Sequence, residues 1–298
     1  MQESTQKHAL YTALGCFFAW GFFPIYWKFL HHISALETLS HRIIWSFVFY
    51  LLIVIFRHLR GVKFMVATTR KDWAMAVLAA FLLAINWGVY IYAINIGKVL
   101  EGSLAYFINP LLVMMVGVVF FKEPFPPLLK FAFSMALIGV LIQIGFGDHL
   151  PWIALVLAFS FCGYGIIKKM IRIRPTQFSL MEGVVGLIPA LAAAYWLRSE
   201  SEIILQNTDW ILLIGSGFVT GLPLFLFAIA ARSLPYSLMG ILQFISPSLQ
   251  FLVGLFLFDE ALTPASAASF CFIWIGVSFY LLEKWHSLRS QKSLDGAI

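Results

Sequence analysis

Ten apolar runs follow one another along the chain, at about 9–29, 36–56, 73–96, 102–121, 128–146, 150–168, 177–197, 210–231, 236–258 and 264–282, each bounded by charges or turn residues. A helix of roughly 20 apolar residues crosses the ~30 Å hydrocarbon layer of a bilayer. Strands of a membrane barrel would alternate apolar and polar residues, and a run such as LLVMMVGVVFF, Leu111 to Phe121, has no alternation. Only 11% of the residues are charged, against about 25% in a soluble domain, so the chain has too few polar groups to cover a water-facing surface. The expected fold is an all-α integral membrane protein of ten transmembrane helices. The N-terminal stretch MQESTQKHAL has one Lys and no small-residue cleavage site after the first run, so that run reads as a retained helix.

The basic excess, a net charge of +6, reports topology rather than nucleic-acid binding, because cytoplasmic loops of membrane proteins collect Lys and Arg. With the N-terminus inside, the inner connections hold fifteen basic residues: Lys7, Arg57, Arg60, Lys63, Arg70, Lys71, Lys122, Lys168, Lys169, Arg172, Arg174, Arg232, Lys284, Arg289 and Lys292. The outer side holds four, Lys28, Arg42, Lys98 and Arg198, with Lys130 inside the fifth helix. Both termini are therefore expected in the cytoplasm.

The chain contains itself twice. A slide of 137 residues lays FINPLLVMMVGVVFFKEPFPP (Phe107 to Pro127) on FISPSLQFLVGLFLFDEALTP (Phe244 to Pro264), and 13 of 41 positions match between 103–143 and 240–280. The matches include Pro110/Pro247, Gly117/Gly254, Glu123/Glu260 and Gly139/Gly276. The expected units are a first repeat at 9–146, a second at 150–283, and a cytoplasmic tail at 284–298. Five helices per repeat is an odd number, so the second copy must be inverted. Loop charges agree: the basic 57–71 connection corresponds to 198–209 with Glu200, Glu202 and Asp209, and Lys122 corresponds to Asp259. Inverted repeats are typical of secondary transporters with a site near the midplane.

Polar groups in hydrocarbon are costly and are functional candidates by default. Two clusters surround mid-run prolines, Tyr106, Asn109 and Pro110 in the fourth helix and Gln243, Ser246, Pro247 and Gln250 in the ninth. A proline frees a backbone carbonyl, so both are read as helix breaks where a pocket forms, with interhelical hydrogen bonding as the competing role. The third helix adds Asn86, Trp87, Tyr90 and Asn95, an aromatic wall with amide handles, and Trp20 and Tyr164 lie in the first and sixth. Arg42 and Glu182 are charges inside the second and seventh runs. They sit ~9 Å and ~7–8 Å inside opposite faces, ~13 Å apart along the normal, so no ion pair is expected between them. Arg42 would favour a carboxylate or other anionic group in an external vestibule, or else snorkel to headgroups. Glu182 is either a coupling group or the partner of a residue on a neighbouring helix.

Other polar residues read as structural. Glu123 and Glu260 precede the fifth and tenth helices, where a carboxylate opposes the positive end of the helix dipole. His31, His32 and His41 suit a polar surface, and Cys16, Cys162 and Cys271 lie in apolar runs as small buried side chains. No metal-ligand spacing and no cofactor fingerprint is present. The sequence lacks a Walker A motif, HExxH and GxSxG, which argues against ATP-driven transport and against an enzyme. No carboxylate lies between Ala9 and Phe29, so the first helix offers no proton-exchange group.

The segments WGFFPIYWK (Trp20 to Lys28), HRIIWS (His41 to Ser46), NWGVYIYAIN (Asn86 to Asn95), EGSLAYFINPLL (Glu101 to Leu112), LVLAFSFCGYGIIKK (Leu155 to Lys169), VTGLPLFLFAIAAR (Val219 to Arg232) and GILQFISPSLQFL (Gly240 to Leu252) together resemble the drug/metabolite transporter superfamily. The chain looks like two EamA-type halves of its RarD branch. The resemblance implies a bacterial inner-membrane carrier with a central cavity among helices 1, 3, 4, 6, 8 and 9. Trp20, Tyr90, Asn109, Tyr164, Gln243 and Ser246 lie on those helices. It also implies alternating access, and export of a small metabolite, amino-acid-like or a drug. A passive facilitator or channel, and a non-transporting membrane sensor, are the alternative readings.

Overall fold

The computed structural model describes residues 2–61, 66–95, 99–145, 152–200, 204–257 and 264–295. Twelve helices occur among the described residues: α1 (Gln2–Gly21), α2 (Phe23–Lys28), α3 (Ala35–Leu59), α4 (Arg70–Asn95), α5 (Val99–Val119), α6 (Pro127–Gly145), α7 (Trp152–Met170), α8 (Pro175–Glu200), α9 (Asn207–Ser233), α10 (Tyr236–Gln243), α11 (Ile245–Leu257) and α12 (Pro264–Asp295). No strand occurs among the described residues. Seven stretches are long and apolar enough to cross a membrane, and three shorter apolar helices, Ala105–Val119, Pro127–Ile142 and Ala267–Leu282, accompany them. Large apolar side chains cover the outside, among them Ile188 and Tyr195, 77% and 80% exposed. A surface of this kind belongs in lipid rather than water.

Eight of the ten apolar runs are single helices, and the other two are broken by proline. The first run parts at Phe22, so that Pro24 falls in the opening turn of α2, where a missing N–H removes no helical bond. The ninth parts at Phe244, and Pro247 falls in the first turn of α11. Pro110 departs from expectation: α5 runs through it without a break. One proline removes one backbone bond, and α5 is held along its length by α7 and α10, so the helix continues. Pro189 and Pro223 are likewise interior to α8 and α9.

Helix starts follow cap chemistry. Ser34 caps α3 by accepting from Glu37 N at 3.2 Å, and Gln206 with Asp209 forms a capping box on α9, which satisfies N–H groups that the helix cannot. Lys130, placed by sequence inside the fifth helix, stands in the first turn of α6 and is exposed. Cys16 and Cys162 are buried as expected, whereas Cys271 is exposed on α12.

Close glycine contacts fix how the helices run. A Cβ on Gly139 of α6 would stand 2.7 Å from Ser269 O of α12, and one on Gly276 of α12 would stand 2.9 Å from Ala132 O of α6. Numbers rise on one helix as they fall on the other, so the two are antiparallel. Gly183 and Gly186 of α8 meet Phe47 and Ile43 of α3 in the same antiparallel sense. Under the 137-residue slide Gly139 maps to Gly276 and Ala132 to Ser269, so the α6/α12 seam is reciprocal, as in an isologous contact. Other packing pairs come in matched sets: α3 with α9 and α8 with α4, α4 with α7 and α9 with α1, α5 with α7 and α1 with α11.

Small residues let membrane helices approach closely. Gly276→Leu is expected to cost about 1–3 kcal/mol by overpacking the α6/α12 seam. Gly88 has nothing within 4 Å of a built Cβ, so Gly88→Leu is expected to leave thermal unfolding of the detergent-purified protein unchanged or slightly improved. Equal melting temperatures for the two variants would contradict this reading of the seam.

Candidate functional site

Aromatic residues of three helices, α1, α7 and α9, meet inside the bundle. Trp20 of α1 packs against Phe161 of α7 at 5.6 Å and Phe227 of α9 at 5.7 Å between ring centroids. Tyr164 stacks on Phe227 at 6.3 Å with an interplanar angle of 16°. Phe17, Tyr164 and Phe227 are fully buried, so this layer is a packed floor with Trp20 partly open above it. The sequence had singled out Trp20 and Tyr164, but not Phe161 and Phe227, whose phenylalanines carry no polar signal among thirty in the chain.

Beneath the floor lies a buried ion pair. Lys168 Nζ is 2.5 Å from Glu182 Oε2, with the lysine side chain wholly inaccessible, and it also donates to Ser179 Oγ at 3.1 Å. Its ammonium lies over Tyr164 and Phe178, 5.1 Å and 4.8 Å from the ring centroids. Sequence counting placed Lys168 with the loop charges; instead it turns inward from the last turn of α7 because Glu182 of α8 offers it a countercharge. Arg42 and Glu182 are not paired, consistent with their expected depths.

A second latch joins the α5–α6 connection to α10. Glu123 accepts from Tyr236 N at 2.6 Å, Ser237 N at 2.8 Å and Ser237 Oγ at 2.7 Å. The carboxylate thus opposes the positive end of a helix, but the helix is α10 rather than the adjoining α6. Its repeat counterpart Glu260 and the paired Asp259 lie outside the described residues. Lys169 Nζ stands 3.6 Å from Glu123 Oε1 and donates to Leu234 O at 2.8 Å. Arg232 Nη1 donates to Ile173 O at 2.7 Å. These contacts involve residues at or near the ends of α5, α7, α8 and α9 that adjoin basic connections.

Tyr106 keeps 40% of its surface accessible and meets Tyr90 at 6.2 Å between centroids. Arg42 extends inward from α3: its Cζ lies 4.4 Å from the Trp27 ring centroid and 4.6 Å from that of Trp87, and its Nε donates to Thr220 Oγ1 at 3.1 Å. Asn109 Nδ2 donates to Gln243 Oε1 at 2.6 Å, joining α5 to α10. Asn109 Oδ1 and Gln243 Nε2 are buried without a partner. Exchanging the assigned O and N of both amides would still leave one donor and one acceptor over.

Three of the residues read as cavity candidates make hydrogen bonds to backbone carbonyls. Pro24 has no N–H to give to Trp20 O, and Gln250 Nε2 donates there at 3.0 Å. Ser246 Oγ donates to Phe17 O at 2.8 Å. Asn86 Nδ2 donates to Leu157 O and Ser160 Oγ, 2.7 Å and 3.0 Å away, tying α4 to α7. The Asn95 side chain lies outside the described residues. His41, expected at a polar surface, is buried against Trp210, while His32 Nε2 lies 3.1 Å from Asp209 Oδ1. A groove of about 480 Å³ lined by Ile44, Leu191, Tyr195 and Trp210 opens between α3, α8 and α9, apart from the aromatic cluster. No group of three or more metal-ligating side chains occurs among the described residues.

The chain was compared with known proteins. The profile of the EamA-like transporter family matches residues 7–144. The chain is 38% identical to the uncharacterized transporter YojE of Bacillus subtilis (strain 168), over 97% of this chain and 98% of that protein. It is 34% identical to Protein RarD of Escherichia coli (strain K12), over 97% and 99%. A solved crystal structure superposes on 93% of this chain and 98% of its own, with a TM-score of 0.73 and 16% identity, a likeness of fold alone.

Removing one partner of a buried ion pair leaves an uncompensated charge and typically costs about 3–5 kcal/mol. Lys168→Met is expected to destabilise on that scale, and Lys168→Met/Glu182→Leu to recover most of the loss. Thermal unfolding of the four proteins of the cycle checks this, and additive losses would remove the coupling.

Proposed function

The chain belongs to the EamA-like transporter family, and from that premise we propose that it is a secondary carrier of small organic molecules working by alternating access. The observations that support the reading are the aromatic cluster around Trp20 and Phe227, the ion pairs Lys168–Glu182 and Lys169–Glu123, and the accessible Tyr106 beside Tyr90. The proposed chamber has walls from α2 to α5 on one side and α7, α9 and α10 on the other.

In this reading the ten spans form two inverted halves, 9–146 and 150–283, with both termini and the 284–298 tail in the cytoplasm of a bacterial inner membrane. Support comes from the reciprocal α6/α12 seam, from the matched helix pairs, and from the excess of basic residues in one set of connections. The latches then close the cytoplasmic side. Opening that side requires Glu123 to release α10, and rocking one half against the other would do so. Export is the direction the family resemblance favours.

Asn109, on α5, and Gln243, on α10, are the polar pair at the junction of the halves, and their leftover donor and acceptor suit an amide, hydroxyl or carboxyl group of a passing molecule. Tyr90, Tyr106, Trp87 and Trp20 supply apolar area with polar tips. Ser246, Gln250 and Asn86 hold the helices that frame the chamber.

Asn109→Leu/Gln243→Met is expected to abolish counterflow in proteoliposomes while leaving membrane insertion intact; full counterflow would remove the pair from the pathway. Counterflow itself separates a carrier from a channel, which shows none. Glu182 is the coupling candidate. Glu182→Gln is expected to remove any dependence of flux on a pH gradient, and an unaltered dependence would assign the Lys168 pair to stability alone.

A further inference from the structure

Lys168 and Arg42 are both held against aromatic rings, and they are treated differently. Lys168 has a carboxylate and a hydroxyl. Arg42 has neither carboxylate nor carbonyl: among the described residues its sole hydrogen-bond acceptor is Thr220 Oγ1, on Nε. A guanidinium carries five N–H donors in a planar fork, so four of them reach no acceptor. The two indoles against it, Trp27 and Trp87, act on the charge through their ring faces and leave the edge of the fork unoccupied. Tyr90 stands three residues on from Trp87 along α4, on the same side of that helix, and packs against Tyr106, which is accessible.

An unpaired cation among aromatic rings is costly unless something supplies the missing charge. Snorkelling to headgroups would need a side chain directed out of the bundle, whereas this one is fixed between α2, α4 and α9 by its two rings and the Thr220 hydroxyl. We propose that Arg42 is the anchor for a carboxylate on the transported molecule, so that the substrate class is small organic carboxylates with an apolar or aromatic body. The carboxylate matches the free edge of the fork in bidentate fashion, and the rings of Trp87, Tyr90 and Tyr106 receive the body. The inference rests on the carrier reading and narrows it.

The test uses the full chain, purified in detergent and reconstituted in proteoliposomes. The probes are phenylacetate, benzoate, 4-methylpentanoate and hexanoate, each against its own uncharged primary amide. Wild-type protein is expected to show a saturable rise in melting temperature with at least one carboxylate, and an apparent affinity for it about 10- to 100-fold above that for the amide. R42Q is expected to lose that preference, and R42K, which keeps the charge without the fork, to fall between. The wild-type comparison stands even where a variant folds poorly. No shift from any of the carboxylates, equal response to acid and amide, or an R42Q protein that keeps the preference would each overturn the proposal. Counterflow separates the two layers. Flux that is indifferent to Arg42 and to the carboxylate sinks the anchor and leaves the carrier standing. Arg42-dependent binding without counterflow of the bound carboxylate leaves the site in place and sinks the carrier.

Discussion

In hydrocarbon no water is present to accept or donate a hydrogen bond, so each backbone polar group must find its partner within the protein. Most of this structure follows from that requirement. It makes every run a helix, and it decides what happens where a helix cannot continue. Pro24 deprives Trp20 O of its donor, and Gln250, far away in sequence on α11, supplies one at 3.0 Å. A break in one helix is thereby turned into a link to another. Glu123 does the same at the start of α10, where three donors would otherwise go unmet.

The same requirement explains how far the sequence could be read. Run length and composition alone locate the helices, since a span has few alternatives, and the duplication around Pro110 and Pro247 is visible because identical residues recur at a fixed distance. The partners of polar side chains are a different matter. Gln250 and Ser246 look like pocket residues because they are polar in an apolar run, and nothing local reveals that a carbonyl of α1 lies opposite. Lys168 and Lys169 are neighbours at a helix end, yet one turns inward to Glu182 and the other reaches Glu123 and Leu234 O. Which way each turns depends on α8 and α10, and on no feature of the Lys-Lys pair itself.

Internal symmetry is followed closely where packing is concerned and departed from where chemistry is. The α6/α12 seam repeats the same small residues on both sides, because two helices that meet around a common axis face the same steric problem. The polar centre is not a copy. Asn109 corresponds to Ser246 and Tyr106 to Gln243, yet the bond that forms is Asn109 to Gln243, while Ser246 serves Phe17 O. A symmetric pair of pockets would offer the same chemistry on both sides. This arrangement gives an aromatic chamber with a cation on one side of the Asn109–Gln243 bond and a filled floor on the other.

That asymmetry orders the energetics. Lys168 has a countercharge in Glu182 Oε2, Glu123 meets three donors of α10, and Tyr236 Oη donates to Cys162 O at 2.8 Å, while Glu182 Oε1 is buried without a partner. Among the described residues, four N–H donors of Arg42, Asn109 Oδ1 and Gln243 Nε2 lack partners, as do His41 Nδ1, Trp45 Nε1 and Glu182 Oε1 elsewhere in the bundle. Natural sequences tend to violate the rules of polar satisfaction at sites of function and to keep them elsewhere. A transported molecule that completes these groups would gain the interactions the protein leaves unmade, and would lose them again on leaving.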